Sequence, residues 1–423
     1  MRFTWWKRAG RPSSRKPQPA AQRRAPVRLR LELLEERVVP AGSPLDPTFG
    51  NQGLVRGTFQ GYSNTSGTAE VILANGQVLV AGSADGSQAV ARFNPDGSLD
   101  TSFGQNGIAV YHPGVFNSGA NAMAVQADGK ILLEGNDPFT TFVLRLNADG
   151  SLDTSFGNGA GFVTLDFGDI GDAGTGALAE ADGTIVIAGA RQLFGSKEGF
   201  LARLNADGSR DSTFGSNGVV QQQLAGNSGW ASLLDDGSGG YYTAGFAGND
   251  FAVAEFGHGG QLVGGFGVNG VLTVNMGTGS SNSHANKLAQ DAAGNLVLVG
   301  GTTDPGTGED FAVARVTAAG QLDTSFGNHG TVVLDFSAAN DEARDVAIGS
   351  DGSIYAVGQA NDEFAVAVLD PSGQQPTLYA TDFLASNDRG YAGAFDPSGR
   401  FIVAGTSHAT DTFDHMALAA YIV

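Results

Sequence analysis

The sequence predicts an all-β protein: a closed ring of seven four-stranded sheets behind a short basic leader. Three observations carry that reading. A six-residue phrase recurs along the chain, and a glycine that closes an apolar run recurs at near-constant spacing. Nothing in the body sustains a helical apolar period over three turns.

Leu-Asp-Thr-Ser-Phe-Gly stands at 99–104, 152–157 and 322–327, with variants at 45–50, 210–215 and 262–267. The closing glycines are Gly82, Gly135, Gly189, Gly245, Gly300, Gly358 and Gly405, spaced 53, 54, 56, 55, 58 and 47 residues apart. Seven units of about 54 residues account for residues 43–423. In the second unit, strand a is read at 121–126, a hairpin turn at 127–129, strand b at 130–135, strand c at 142–146, a long loop at 147–157 and strand d at 161–167. Short runs of β-formers between Gly, Asn and Asp are sheet rather than helix. Four-stranded units repeated radially make a β-propeller. Six d strands follow a c strand, but the seventh, at 53–59, precedes the first a strand. The chain ends on a c strand at 416–422. The N-terminal strand is therefore expected to complete the last blade from outside, because a ring must leave no open edge.

The chain has 423 residues, 64 Gly, 14 Pro, no Cys and a formal charge of −19. Without Cys there is no disulfide frame, Cys-ligated zinc, iron–sulfur cluster or thiol nucleophile. No apolar run is long enough to span a membrane. Residues 1–42 hold 11 Lys and Arg against 3 Asp and Glu, whereas the body carries −27. Seven of the prolines fall in the first 47 residues. Both shifts divide the chain into a largely disordered leader, 1–42, and a propeller, 43–423. An acidic body repels phosphate backbones, so no nucleic-acid partner is expected. A monomer is expected.

The leader lacks the continuous apolar segment of an ordinary secretory signal. Its stretch Leu-Glu-Leu-Leu-Glu-Glu-Arg-Val-Val-Pro-Ala, 31–41, resembles the N-terminal leader of many large planctomycete surface and exported proteins. That resemblance implies export to the cell surface or beyond. The body resembles the delta-60 repeat family through its Asp-Gly-Lys-Ile, Phe-Ala-Val-Ala-Arg and Leu-Asp-Thr-Ser-Phe-Gly elements, over almost all of 45–423. The likeness implies a secreted or surface propeller-like repeat protein and names no family-wide enzymatic activity.

Repeat positions also assign jobs. Phe49, Phe103, Phe156, Phe214, Phe266 and Phe326 share one position and are expected as wedges between blades. The closing glycines are expected either to relieve crowding or to adopt positive φ at the b–c hairpin. Arg92, Arg145, Arg203 and Arg315 end strand c, and Asp100, Asp153, Asp211 and Asp323 follow eight residues later. Both members are lost together in the fourth unit (Glu255, Val263) and the sixth (Val368, Pro376). That covariation predicts a within-blade ion pair pinning the c–d loop. The seventh unit breaks the rule, keeping Asp46 where strand c offers Ala420.

Catalytic signatures are missing. The six histidines occupy unrelated repeat positions, and no His-Glu-x-x-His, Gly-x-Ser-x-Gly or phosphate-loop motif occurs. The start of strand a is expected at the channel mouth. There the sequence reads Thr68, Asn121, Thr175, Gly229, Asn286, Arg344 and Tyr391, followed by Trp230, Lys287 and Asp345 at the next position. Asn121, Asn286, Lys287, Arg344, Asp345 and Tyr391 are the candidate ligand-binding residues. Asp96, Asp149 and Asp207, in Asn-x-Asp-Gly loops, are weak calcium candidates, since ordinary turn chemistry explains the same pattern. No cofactor or metal is otherwise expected. The leading expectation is a non-catalytic exported or cell-surface binding scaffold for a protein or glycan ligand. The alternatives are a propeller hydrolase or lyase with its site at the channel mouth, and a structural envelope component. Three or more convergent carboxylates or His would favour the enzyme, and a neutral rim would favour binding.

Overall fold

The computed structural model describes residues 45–423 except 58, 60, 115–116, 168–170, 225, 278–281, 305–307, 337–339, 384–386 and 409–412. The leader reading, 1–42, lies outside the described residues. Seven four-stranded antiparallel sheets follow one another as the blades of a β-propeller. The first runs Thr65–Ile72, Val78–Ala84, Ser87–Phe93 and Ile108–Tyr111 as strands a to d, and five more blades repeat that order. Helical structure among the described residues is a single 3-10 turn, Gly157–Gly159. No described helix is long and apolar enough to cross a membrane.

The ring closes as the strand count requires. The last blade takes Arg389–Phe395, Phe401–His408 and Asp414–Tyr421 from the C-terminus and Leu54–Arg56 as its outer strand. Leu54 pairs with Ala419 and Arg56 with Ala417. Phe59, just beyond, is buried, whereas Leu54 and Val55 are only half-buried because an outer strand has one packed neighbour.

The hydrophobic core is divided into seven clusters, each formed where two successive blades face one another. The repeated phenylalanines Phe49, Phe103, Phe156, Phe214, Phe266 and Phe326 are all buried. Each packs under a turn glycine of the following blade; Phe103, for example, occupies the space where a Cβ on Gly150 would fall. The backbone repeats the contact, with Gly104 N donating to Asp149 O at 2.8 Å and Gly157 N to Asp207 O at 2.9 Å.

Arg92–Asp100, Arg145–Asp153, Arg203–Asp211 and Arg315–Asp323 form ion pairs of 2.7–2.8 Å. The arginine does more than pin its own loop. Its guanidinium lies 4.5–4.7 Å from the wedge ring in all four blades. It also donates to a turn carbonyl of the next blade: Ala148, Ala206, His258 and Pro371 respectively. One side chain thus joins loop, wedge and neighbouring blade.

The closing glycines relieve crowding. None has positive φ, and they lie within strand b rather than at a hairpin. Opposite each, strand a carries a bulge, so the register skips one residue, as between Gly67 and Ala69 or Ala285 and Lys287. The carbonyl before the bulge turns onto the glycine, and an added Cβ would lie 1.9–2.3 Å from it in all seven blades.

Candidate functional site

The skipped residue of each bulge is Thr68, Asn121, Thr175, Ala231, Asn286, Arg344 or Tyr391, fourteen positions before the closing glycine in every blade. These seven line one central channel with their successors on the strand. All six candidate residues, Asn121, Asn286, Lys287, Arg344, Asp345 and Tyr391, are in that lining. Gly229 and Trp230 are not. The fourth blade's bulge falls between Trp230 and Ser232, which puts Ala231 and Ser232 on the channel. Trp230 is instead buried between blades, its indole against Gly199.

The lining is of two kinds. Around one side, bulge residues donate to the backbone of the next blade. Thr68 Oγ1 reaches Ala120 O at 2.5 Å, Asn121 Nδ2 reaches Gly174 O at 3.1 Å, Thr175 Oγ1 reaches Trp230 O at 2.7 Å and Asn286 Nδ2 reaches Ala343 O at 2.9 Å. In blades five to seven the chemistry changes. The Arg344 guanidinium lies 4.7 Å from the Tyr391 ring centroid, and its Nε is buried with no hydrogen-bond partner. Lys287 is exposed, with Nζ 3.6 Å from Asp345 Oδ1. Asp345 accepts from Val346 N and from Gly393 N in the seventh blade, both at 2.9 Å. Glu70 adds a second carboxyl to the lining, and neither of its oxygens reaches solvent or a hydrogen-bond partner of good geometry. Burial, with nearby Asp345 adding to it, pushes Glu70 well above the ordinary carboxyl range.

Beside this arc, at the junction of blades five and six, three titratable groups converge. His284 Nε2 lies 3.1 Å from Glu342 Oε1 and 3.7 Å from Glu309 Oε1. Glu342 also accepts from Asn286 Nδ2 at 2.8 Å and pairs with Arg344 at 2.5 Å. The Glu342 hydrogen bond raises the His284 pKa. Burial raises Glu309, and the Glu342 charge adds to it. Burial also acts on Glu342, but His284 and Arg344 outweigh it and hold that carboxyl below its usual value.

The calcium candidates Asp96, Asp149 and Asp207 lie exposed in turns. One oxygen of each accepts both the backbone N–H and the hydroxyl of the serine two residues on, at 2.6–2.9 Å. None of the three belongs to a cluster of metal-ligating groups among the described residues.

Four stretches, 73–103, 126–156, 180–214 and 294–326, match a family model described as a β-propeller domain of unknown function (DUF5122). They fall in the four blades that keep the Arg–Asp pair, and each ends on the wedge phenylalanine. This is a β-propeller repeat protein. Among solved structures, it is similar to a catalytically inactive virginiamycin B lyase from Staphylococcus aureus with quinupristin. That likeness has a TM-score of 0.53 at 10% identity, over 86% of this chain and 98% of the other. It is also similar to a polysaccharide lyase, an ulvan lyase bound to GlcA(1-4)Rha3S. There the TM-score is 0.52 at 12% identity, over 87% of this chain and 96% of the other. At such identities the likeness is one of fold. No curated protein matches the sequence.

Sequence reasoning passed over the His284–Glu309–Glu342 cluster in this propeller: His284 and Glu342 share one repeat position, each paired with the residue after the closing glycine, but they belong to different blades, and Glu309 comes from another strand. One signal was available. Gly301 follows the closing Gly300 and makes this the single blade with Gly-Gly at that point. An added Cβ at Gly301 would lie within 2.4 Å of Glu309 Oε1, so the glycine makes room for that carboxylate.

Proposed function

We propose that residues 43–423 form an exported binding module that takes an acidic, carbohydrate-like ligand at the channel mouth, on the arc of blades five to seven. The observation that carries this reading is the Arg344–Tyr391 stack, set in a channel whose other polar bulge residues hold neighbouring blades together. An aromatic face beside a guanidinium and an exposed ammonium suits a sugar ring bearing a carboxylate or sulfate. Export is supported by the leader's resemblance to planctomycete export leaders. The test is a panel of neutral, uronate-containing and sulfated oligosaccharides, screened for binding. Acidic members should bind, and Arg344→Ala and Tyr391→Ala should abolish binding without shifting the melting curve. A panel without hits, or hits indifferent to both substitutions, would sink the reading.

A second reading, a propeller lyase or hydrolase using the same mouth, is favoured by the convergence of His284, Glu309 and Glu342 beside the arc. It predicts turnover of the bound saccharide that disappears in His284→Ala while binding persists.

A further inference from the structure

We propose that His284, Glu309 and Glu342 form a binding site for a divalent first-row transition metal ion at the junction of blades five and six. The site does not depend on what the channel binds.

The donor set comes first. One imidazole nitrogen and two carboxylate oxygens suit zinc, manganese or iron better than calcium, which takes oxygen ligands alone. Geometry agrees. A metal with ligands at about 2.0–2.2 Å places neighbouring donor atoms roughly 3–3.6 Å apart. Nε2 lies 3.1 Å from Glu342 Oε1 and 3.7 Å from Glu309 Oε1, and all three donor atoms fall within 4.8 Å of one another. The three side chains are half-buried, which leaves coordination positions open on the solvent side.

The surroundings hold the donors in place. Arg344 holds the far oxygen of the Glu342 carboxylate, Oε2, as an outer partner of a ligating carboxylate does, and Asn286 Nδ2 donates to Oε1, the oxygen that faces His284. Glu309 lies on strand c, paired across from Thr303, and reaches His284 only by folding over Gly301. Any side chain at 301 would displace it. In the other blades this position is Ser83, Asn136, Ala190, Phe246, Gln359 or Thr406. The glycine breaks the repeat where the third donor has to pass.

Metal and proton compete for Nε2, so the titration is best run at about pH 8. The full chain, stripped with chelator, is titrated calorimetrically with Zn2+, Mn2+ and Ca2+, and cobalt absorption reports coordination by the imidazole. Zn2+ or Mn2+ is expected to bind at one site per chain. His284→Ala and Glu309→Gln should each weaken it by about 10-fold or more, and Gly301→Ala should weaken it without removing a donor. Asp335→Asn should leave it unchanged; this substitution controls for the separate acidic cluster of Asp310, Asp335 and Asp341. The proposal is overturned by no uptake of either transition metal. It is equally overturned by uptake indifferent to His284→Ala and Glu309→Gln, or by uptake lost in Asp335→Asn alone.

Discussion

Arg400 Nη1 lies 3.1 Å from Asp46 Oδ2, although 354 residues separate them in sequence. Asp46 occupies the position whose arginine partner ends strand c in four other blades, and here that strand offers Ala420. Arg400 arrives instead from the turn before strand b. It reproduces all three contacts of the missing arginine. It pairs with Asp46, lies 5.6 Å from the wedge ring of Phe49, and donates to Pro95 O in the first blade at 2.7 Å. Asp396 adds a further pair at 2.6 Å. The blade assembled from both chain ends therefore keeps the same junction by another route.

Truncation tests the closure. A chain starting at residue 43 keeps every described contact and should melt with the full-length protein. One starting at residue 61 loses the outer strand together with Phe49 and Phe59, both buried. Two such rings are worth roughly 3–6 kcal/mol, a large share of a domain's net stability. Coincident thermal melts for the two truncated chains would mean that the N-terminal strand does not hold the ring.

Arg145 and Asp153 are the most buried of the ion pairs, at 4% and 5% exposure. Removing Arg145 leaves the Asp153 charge buried with Lys130 Nζ, 3.5 Å away, as its remaining cationic partner, so Arg145→Ala should cost about 3 kcal/mol in chemical denaturation. Arg92→Ala, at a more exposed pair, should cost less. Burial alone would raise the Asp153 carboxyl, but Ser155 and Arg145 outweigh it and bring it down to about 2. A depressed folded-state value stabilises above the ordinary Asp range, and the contribution disappears as pH falls toward about 2. Asp153→Asn should therefore flatten the acid limb of the stability profile. An unchanged limb would remove Asp153 from it.

Glu134 gives the opposite sign. It is fully buried, and its carboxylate oxygens have no hydrogen-bond partner. Burial pushes it well above the usual range. Such a group favours folding most below the ordinary Glu value, and the contribution declines as pH rises toward the folded-state value. Glu134→Gln and the parent should differ least near pH 4. Above that the parent should lose up to about 1.4 kcal/mol per pH unit relative to the variant. A difference that stays constant from about pH 4 to 8 would overturn this account.

Gly82→Ala tests the bulge. The new Cβ would meet Ser66 O at 1.9 Å, a backbone atom that cannot rotate away, and the cost should be about 3 kcal/mol. Gly119→Ala, whose Cβ meets nothing closer than 3.4 Å, is the control and should fall within about 1 kcal/mol of the parent. Equal melting temperatures for these two variants would show that the bulge can shift without penalty.

What the sequence revealed was whatever repeats. The wedge phenylalanines, the Arg–Asp spacing and the strand count are each copied several times, and chance does not copy a position six times. What it concealed was contact between different repeat positions. Arg400 replaces an arginine from another strand, and nothing in its local sequence says so. The His284–Glu309–Glu342 cluster draws on two blades. The fourth blade's channel residue was misplaced by two because strand a was aligned on its own start, which varies, rather than on Gly245, which does not. Inter-blade hydrogen bonds such as Thr68 to Ala120 O end on backbone carbonyls, and a carbonyl leaves no mark in composition.

The bulge also separates two kinds of inheritance. Each blade turns one skipped residue, with its successors, toward the axis, while the pairing of its strands continues on either side of the skipped position. Substitution there alters the face shown to a ligand without altering the circumference of the ring. Four of those places are anchored to a neighbouring blade through their side chains, and Ala231 offers only a methyl group. If the channel binds as proposed, Arg344 and Tyr391 are the two places where substitution would change the ligand and keep the architecture intact.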